Sequence, residues 1–167
     1  MKTEVSEFLV RKATAEDIRS MCSLINEIID IGGTTAHETP YTVSGFEKHY
    51  LNRSTLIACH VAVQESGAIA GFQSMHAKST LPENWADIAT FARAKPKIRG
   101  AGTALFAASR EYAAKAGIIA INATIRSDNT AGLAYHKKMG FEPYSIEKGR
   151  PLADGTPVDR ISMRMLL

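Results

Sequence analysis

Lys97-Ile98-Arg99-Gly100-Ala101-Gly102-Thr103 joins a strand-like run ending near Arg93 to a helix-like run beginning at Gly102. A strand, a basic glycine loop and a helix in that order make an anion-binding turn. Glycine tolerates positive φ and lets the backbone come close to a ligand, and a first helical turn offers unpaired N–H groups and the positive end of its dipole. Lys97 and Arg99 add cationic side chains at the same place. Two named phosphate signatures do not apply. No Gly-Lys-Ser/Thr tripeptide is present, and Leu105 stands where a third glycine would complete the dinucleotide fingerprint. Glycines also end strands and open helices for conformational reasons alone, so the loop by itself leaves a purely structural role open.

A second segment narrows the choice. Asp128-Asn129-Thr130-Ala131-Gly132-Leu133-Ala134-Tyr135-His136-Lys137-Lys138-Met139-Gly140-Phe141 reads as a short helix opened by polar residues, closed by Gly140 and followed by a strand. Together the two segments resemble the cofactor motifs of the GNAT superfamily of acetyl-CoA-dependent N-acetyltransferases. The first family motif, Gln/Arg-x-x-Gly-x-Gly/Ala, is matched from Lys97 to Gly102 with Lys leading. The second is matched by Asn129 and Gly140-Phe141 at the family's usual separation, with a strand between the motifs.

Patterning along the rest of the chain gives the same order of elements. Phe8 to Lys12 alternates as a strand, and Thr14-Ala15-Glu16-Asp17 has the form of a capping box. Ile18, Met21, Cys22, Ile25, Ile28 and Ile29 follow at helical spacing up to Gly32-Gly33, and Thr34 to Pro40 is a polar loop. A second helix is predicted from Val43 to Asn52. Leu56 to Gln64 and Ala68 to Ala77 form a hairpin, and Trp85 to Lys95 a strand closed by Pro96. After a helix from Gly102 to Ala116 and a strand from Ile118 to Ile125 comes the Asn129 helix. Phe141 to Lys148 and Val158 to Leu167 then pair around Asp154-Gly155. The resemblance covers essentially the whole chain after its first residues. It implies an α/β (α+β) fold: a mixed, mostly antiparallel twisted sheet with helices on both faces, in which two central strands splay apart to admit a pantetheine arm.

Bulk properties fit this reading. The 167 residues suit one domain, 8–167, after an N-terminal extension, 1–7. The net charge of +3 is dispersed, which suits a polyanionic cofactor and argues against nucleic acid binding. Met1 to Glu7 lacks a secretory pattern, no run approaches a membrane span, and Cys22 and Cys59 lack CxxC spacing. These features point to a cytoplasmic protein with reduced, buried cysteines. The histidines at 37, 49, 60, 76 and 136 have no multidentate spacing, so no metal site is expected.

The family reaction moves an acetyl group from a thioester to an amine by direct attack, which requires no protein nucleophile. The protein must hold acetyl-CoA, accept a proton from an ammonium with an unperturbed pKa of about 10, and assist the departing thiolate. The resemblance implies cofactor contacts from Lys97, Arg99, Gly100, Ala101, Gly102 and Thr103, from Ala92, Arg93 and Ala94 before them, and from Asn129. A helix cap is the structural reading of Asn129, and the two roles are compatible. Tyrosine commonly stands four residues before the Gly of Gly-Phe in this family; here His136 does, with Tyr135 one residue earlier. One residue is about 100° of helix, so the two are not expected to face the sulfur together.

The phosphinothricin and methionine sulfoximine branch has histidine in a similar pattern, favouring His136 and leaving Tyr135 as a packed aromatic. That branch carries a glutamate where this chain has Ala89. Asp87, two residues earlier on the same strand face, is the candidate general base, directly or through water, with His76 and Glu83 as others. Thr34, Thr35 and His37 lie in a loop that helps wall the acceptor pocket in that branch, while Arg93 and Arg126 are candidates for an acceptor carboxylate. The expected partner is a small primary amine, and a homodimer through the last strands or first helices is implied by the resemblance. A protein or peptide α-amine acceptor, and a non-catalytic acyl-CoA sensor, are the alternatives.

Overall fold

The computed structural model describes residues 8–167; the proposed extension, 1–7, lies outside the described residues. A seven-stranded sheet organises the chain in the order β1-β2-β3-β4-β5-β7-β6. Its strands are β1 (Leu9–Lys12), β2 (Leu56–Val63), β3 (Ile69–His76), β4 (Trp85–Ala92), β5 (Ala120–Arg126), β6 (Glu142–Pro151) and β7 (Pro157–Leu166). Every neighbouring pair is antiparallel except β4 and β5. A parallel pair needs a crossover, and α3 (Ala101–Lys115) supplies it.

Alternation of side chains along the central strands sorts the core into two layers. Cys59, Val61, Phe72, Ala89 and Phe91 pack beneath α1 (Ile18–Ile31) and α2 (Val43–Tyr50). The apolar stripe of α1 meets this face through Met21, Leu24, Ile25 and Ile28. On the opposite face Ala86, Ile88, Ile121, Ala123 and Ile125 pack with Phe106 and Ala113 of α3, and with Leu133 and Met139 of α4 (Thr130–Met139). Ala101 and Leu105 rest on Ala62 and Ala70, where small side chains bring the start of α3 close to the sheet. Helices therefore cover both faces, as the sequence leads one to expect. Cys22 and Cys59 are buried and unpaired, and burial pushes the Cys59 thiol up to about 12, which keeps it protonated.

Observed and predicted elements differ mainly at their ends. The capping-box segment is a 3-10 turn, Ala15–Asp17, in which the Thr14 N–H donates to the Asp17 carboxylate at 2.8 Å. The Arg11 guanidinium grips the same carboxylate at 2.7 and 2.9 Å, tying β1 to the start of α1 and holding Asp17 below the usual carboxylate range. Strand β4 ends at Ala92, three residues short of Lys95, because its ladder with β3 finishes at the Gly71–Ala92 pair.

Candidate functional site

The site begins where sheet pairing fails. Strands β4 and β5 are joined only through Trp85–Ala120, Ala86–Ile121 and Asp87–Asn122. Beyond these pairs β5 stays in register with β7 and β4 with β3, so the two strands diverge, as expected for the central splay. A cleft of about 760 Å³ opens between Ile88–Ala92 and Ala123–Arg126. Backbone donors and acceptors of β4 that would otherwise pair with β5 are left for a ligand lying along the strand.

At one end of the cleft stands the glycine loop. Lys97, Ile98, Arg99, Gly100, Gly102 and Thr103 all line it. Gly100 sits at φ 88°, a left-handed conformation that turns the chain directly into α3. Among the described residues no protein acceptor takes the N–H groups of Ala101, Gly102 or Thr103, leaving the first turn open to an anion. Ala101 itself is fully buried, and its side chain serves packing. Gly102 has a different necessity: a Cβ there would lie 2.8 Å from a ring carbon of Tyr135.

That contact brings α4 to the mouth of the cleft. Tyr135 and His136 both line it, with different neighbours. The Tyr135 hydroxyl donates to the Gly102 carbonyl at 2.8 Å and accepts from Gln73 Nε2 at 3.3 Å, which also donates to Thr90 Oγ1 at 2.8 Å. Burial raises the phenol pKa, so Tyr135 retains its proton. His136 packs edge-on against Phe141, and its Nδ1 donates to the Gly132 carbonyl at 2.7 Å. Burial lowers its pKa, leaving a neutral ring whose Nε2 bears a lone pair. Gln73 was missed in the sequence; its signal is a lone amide within the apolar run of β3.

At the other end a loop from α1 crosses the cleft and is tied down on its far side. Asn129 Nδ2 donates to the Thr34 carbonyl at 2.9 Å, and Arg126 Nη1 to the Thr35 carbonyl at 3.1 Å. The Ala153 N–H reaches the Glu38 carboxylate at 2.9 Å. On the near side Asn26 and Tyr41 exchange two bonds of 2.8 and 2.9 Å. Thr34, Thr35 and His37 line the cleft, and His37 lies between the hydroxyls of Tyr41 and Tyr50 at 3.1 and 2.8 Å. Burial lowers the His37 pKa. Asn129 also caps α4, accepting from the Gly132 N–H at 2.9 Å, so its amide serves as both cap and tether.

The remaining candidates stand apart. Asp87 and His76 are opposite one another across β4 and β3, outside the lining of the cleft. Asp87 accepts from Asn122 Nδ2 at 2.7 Å and lies 3.7 Å from the Lys78 ammonium. Ala89, the next residue on that face, does reach the cleft. Ala92 and Ala94 line it too, whereas Arg93 points away and donates to the Ile69 carbonyl at 3.3 Å. Glu83 lies in the exposed connection before β4. No cluster of metal-ligating side chains occurs among the described residues.

The profile of the acetyltransferase (GNAT) domain matches residues 10–162, nearly the whole described chain. The chain belongs to the GNAT acetyltransferase family. Its fold is shared with solved members at low sequence identity. A ribosomal-protein-alanine N-acetyltransferase from Brucella melitensis is 22% identical with a TM-score of 0.85, over 95% of this chain and 99% of that one. A phosphinothricin acetyltransferase from Sinorhizobium meliloti, solved with acetyl-CoA, is 22% identical with a TM-score of 0.84, over 96% and 89% of the two chains. YncA from Salmonella typhimurium, solved with its cofactor acetyl-CoA, is 17% identical with a TM-score of 0.84, over 97% and 95%. No curated protein sequence matches the chain.

Proposed function

We propose that this GNAT protein is an acetyl-CoA-dependent N-acetyltransferase whose acceptor is the primary amine of a small, amino-acid-like molecule, as in the phosphinothricin branch. The observation that carries this reading is the cleft between β4 and β5, which runs from the open N-terminus of α3 to a loop tied across its other end. The residues present fit the cofactor: free N–H groups and two cations suit phosphates, and unpaired β4 backbone suits an extended amide-bearing arm. Acetyl-CoA supplies the activated thioester, from which the amine takes the acetyl group with release of the thiol.

The chain's own groups divide the proton traffic. Tyr135 keeps its proton and is the hydrogen-bond donor assigned to the departing sulfur, toward which its hydroxyl turns from the Gly102 carbonyl that it otherwise serves; His136 has committed its Nδ1–H to Gly132 and supports α4 against Phe141. With Ala89 in place of a carboxylate, the ammonium proton leaves through water toward Asp87, two residues along the same face of β4. The tethered loop favours a closed acceptor pocket over the open groove that a peptide substrate requires. The sensor alternative draws its support from Ala89 alone.

A cytoplasmic location and a homodimer accompany this reading. No described helix is long and apolar enough to cross a membrane, and β6 is exposed along its whole length at the sheet edge. Thiol release from acetyl-CoA, followed over amino acids, methionine sulfoximine, phosphinothricin, polyamines and short peptides, tests the function. Release with small amino acids or their analogues is expected. Release with peptides alone moves the acceptor to the other class, and cofactor binding without release across the panel favours a sensor or an acceptor outside the panel.

A further inference from the structure

The proton given up by the acceptor ammonium needs a first stop inside the cleft, and among the described residues no carboxylate lines it. Asp87, toward which that proton departs, stands outside the lining. The lysines and arginines of the lining are cations, and Tyr135 keeps its phenolic proton. Two groups of the lining remain that take a proton near neutral pH, His136 and His37. His136 packs against Phe141 with α4, on the face of the sheet opposite Ala89. His37 is on the Ala89 face: its ring centroid lies 6.3 Å from that of Phe91, two residues along the same side of β4. The ring is half-buried, which leaves part of it open to the cleft.

The loop beneath this ring is fixed. Asn129 and Arg126 hold the Thr34 and Thr35 carbonyls, and the His37 N–H donates to Thr35 Oγ1 at 3.1 Å. Nδ1 then lies 3.1 Å from the Tyr41 hydroxyl and Nε2 2.8 Å from that of Tyr50. A neutral imidazole has one N–H and one lone pair, so one hydroxyl accepts from the ring and the other donates to it. Burial raises both phenol pKa values, which keeps both oxygens protonated. A hydroxyl turns from donor to acceptor without moving its oxygen, so the same two oxygens also serve an imidazolium with two N–H donors. The surrounding charges leave the ring neutral at pH 7. Burial lowers its pKa, and His49 of α2 adds to the effect. Phe91 of β4 is apolar, the Glu38 carboxylate on the loop accepts from the Ala153 N–H, and Arg126 of β5 is forked to Asp128.

We propose that His37, held between the hydroxyls of Tyr41 and Tyr50, is the first protein group to take the proton of the acceptor ammonium. The proposal rests on the N-acetyltransferase reading and deepens it. An N–H bond of the ammonium breaks as its hydrogen passes to water in the cleft. That water gives a hydrogen to the tyrosine oxygen that donates to the ring, and this oxygen's own hydrogen crosses to the ring nitrogen. The amine keeps the electron pair that attacks the thioester. The imidazolium then returns its proton through water toward Asp87 before the next turnover.

The test is the pH profile of kcat/KM for wild type and His37→Gln, measured with whichever of L-methionine, methionine sulfoximine and phosphinothricin releases thiol fastest. His37 accepts only when neutral, so the wild-type profile should be level above about pH 6.5 and fall beneath it. His37→Gln keeps a polar group between the tyrosines but has no base. It should lose roughly 30-fold at pH 7, and its profile should climb with the free amine toward pH ~10. A variant profile with the wild-type limb would overturn the proposal even at a reduced rate, because a structural role lowers the rate alike at every pH. Should His37→Gln fold poorly, wild type decides alone: a level profile above pH ~6.5 supports the role, and one that follows the free amine toward pH ~10 removes it. No thiol release with any amine would defeat the acetyltransferase reading and the base with it, whereas release with an unmoved limb defeats the base alone.

Discussion

At the Lys97–Thr103 end of the cleft, the groups offered to a ligand are chiefly backbone N–H groups of one helical turn, fixed by the local conformation at Gly100. At the opposite end they are side chains drawn from separate elements: His37 from the loop after α1, Arg126 from β5 and Asn129 from the cap of α4. The first end is a property of a few consecutive residues and, outside Gly100 and Gly102, tolerates side-chain change. The second exists only because the sheet register and the loop tethers bring distant residues together, and single side chains there carry correspondingly more of its function.

The largest effect that sharpens this contrast is expected at Tyr135, which lines the cleft and is bonded to Gly102 at the first end. Tyr135→Phe should lower kcat on the order of 100-fold while leaving acetyl-CoA affinity within a few-fold. His136→Ala should act chiefly on thermal stability, because its ring fills core space beside Phe141 and its Nδ1 bonds within α4. Steady-state kinetics and calorimetry of the pair decide the assignment: a larger kcat loss in His136→Ala than in Tyr135→Phe would exchange their roles.

Next in size is Asn129→Ala. It removes a helix cap, costing about 1 kcal/mol, and also releases the Thr34 carbonyl from the loop tether. Acceptor KM should rise roughly tenfold, more than acetyl-CoA Kd rises, as for loss of a positioning contact. An equal rise in both would mean that the loop does not shape the acceptor end separately. Smaller still, Lys97→Ala and Arg99→Ala should each weaken acetyl-CoA binding only about three- to fivefold, with the effect fading as salt increases. Abolition of binding by either replacement would break the claim that this end is built from backbone.

Part of this organisation is legible in the sequence. The order of elements, the glycine loop and the capping asparagine follow from short-range signals: apolar periodicity, turn residues and spacing to Gly140-Phe141. The acceptor end is not, because its contacts span large separations, such as Arg126 to Thr35 and Ala153 to Glu38. Arg126 is recognisable as a candidate from its type, but its fork with Asp128 and its tether to the loop emerge only in three dimensions. The single helical step from Tyr135 to His136 suggests that they cannot both face the sulfur, yet the width of the cleft admits both, the tyrosine reaching Gly102 and the histidine keeping to its own helix. Asn26 gives no sequence signal for its work in holding Tyr41, since one amide on an amphipathic helix resembles any other polar residue.

The histidines supply the mildest test. Burial lowers the pKa of His37, His49, His60, His76 and His136 in the folded chain. Below the unfolded value of about 6.5 the unfolded chain binds more protons, so their contribution to stability is complete above that pH and declines as pH falls beneath it. Scanning calorimetry from pH 8 to pH 5.5 should show Tm falling by several degrees below about pH 6.5. The decline in His37→Gln should be shallower, linking the neutral ring between Tyr41 and Tyr50 to the integrity of the acceptor end.

Hydrogen exchange with and without acetyl-CoA tests the site most directly, because it reads both the helix turn and the parted strand. Protection confined mainly to Arg99–Thr103 and to Ile88–Ala92 of β4 is expected on binding. Binding that protects neither segment would contradict the placement of the cofactor in the β4–β5 cleft, and with it the division of the site into a backbone-built end and a side-chain-built one.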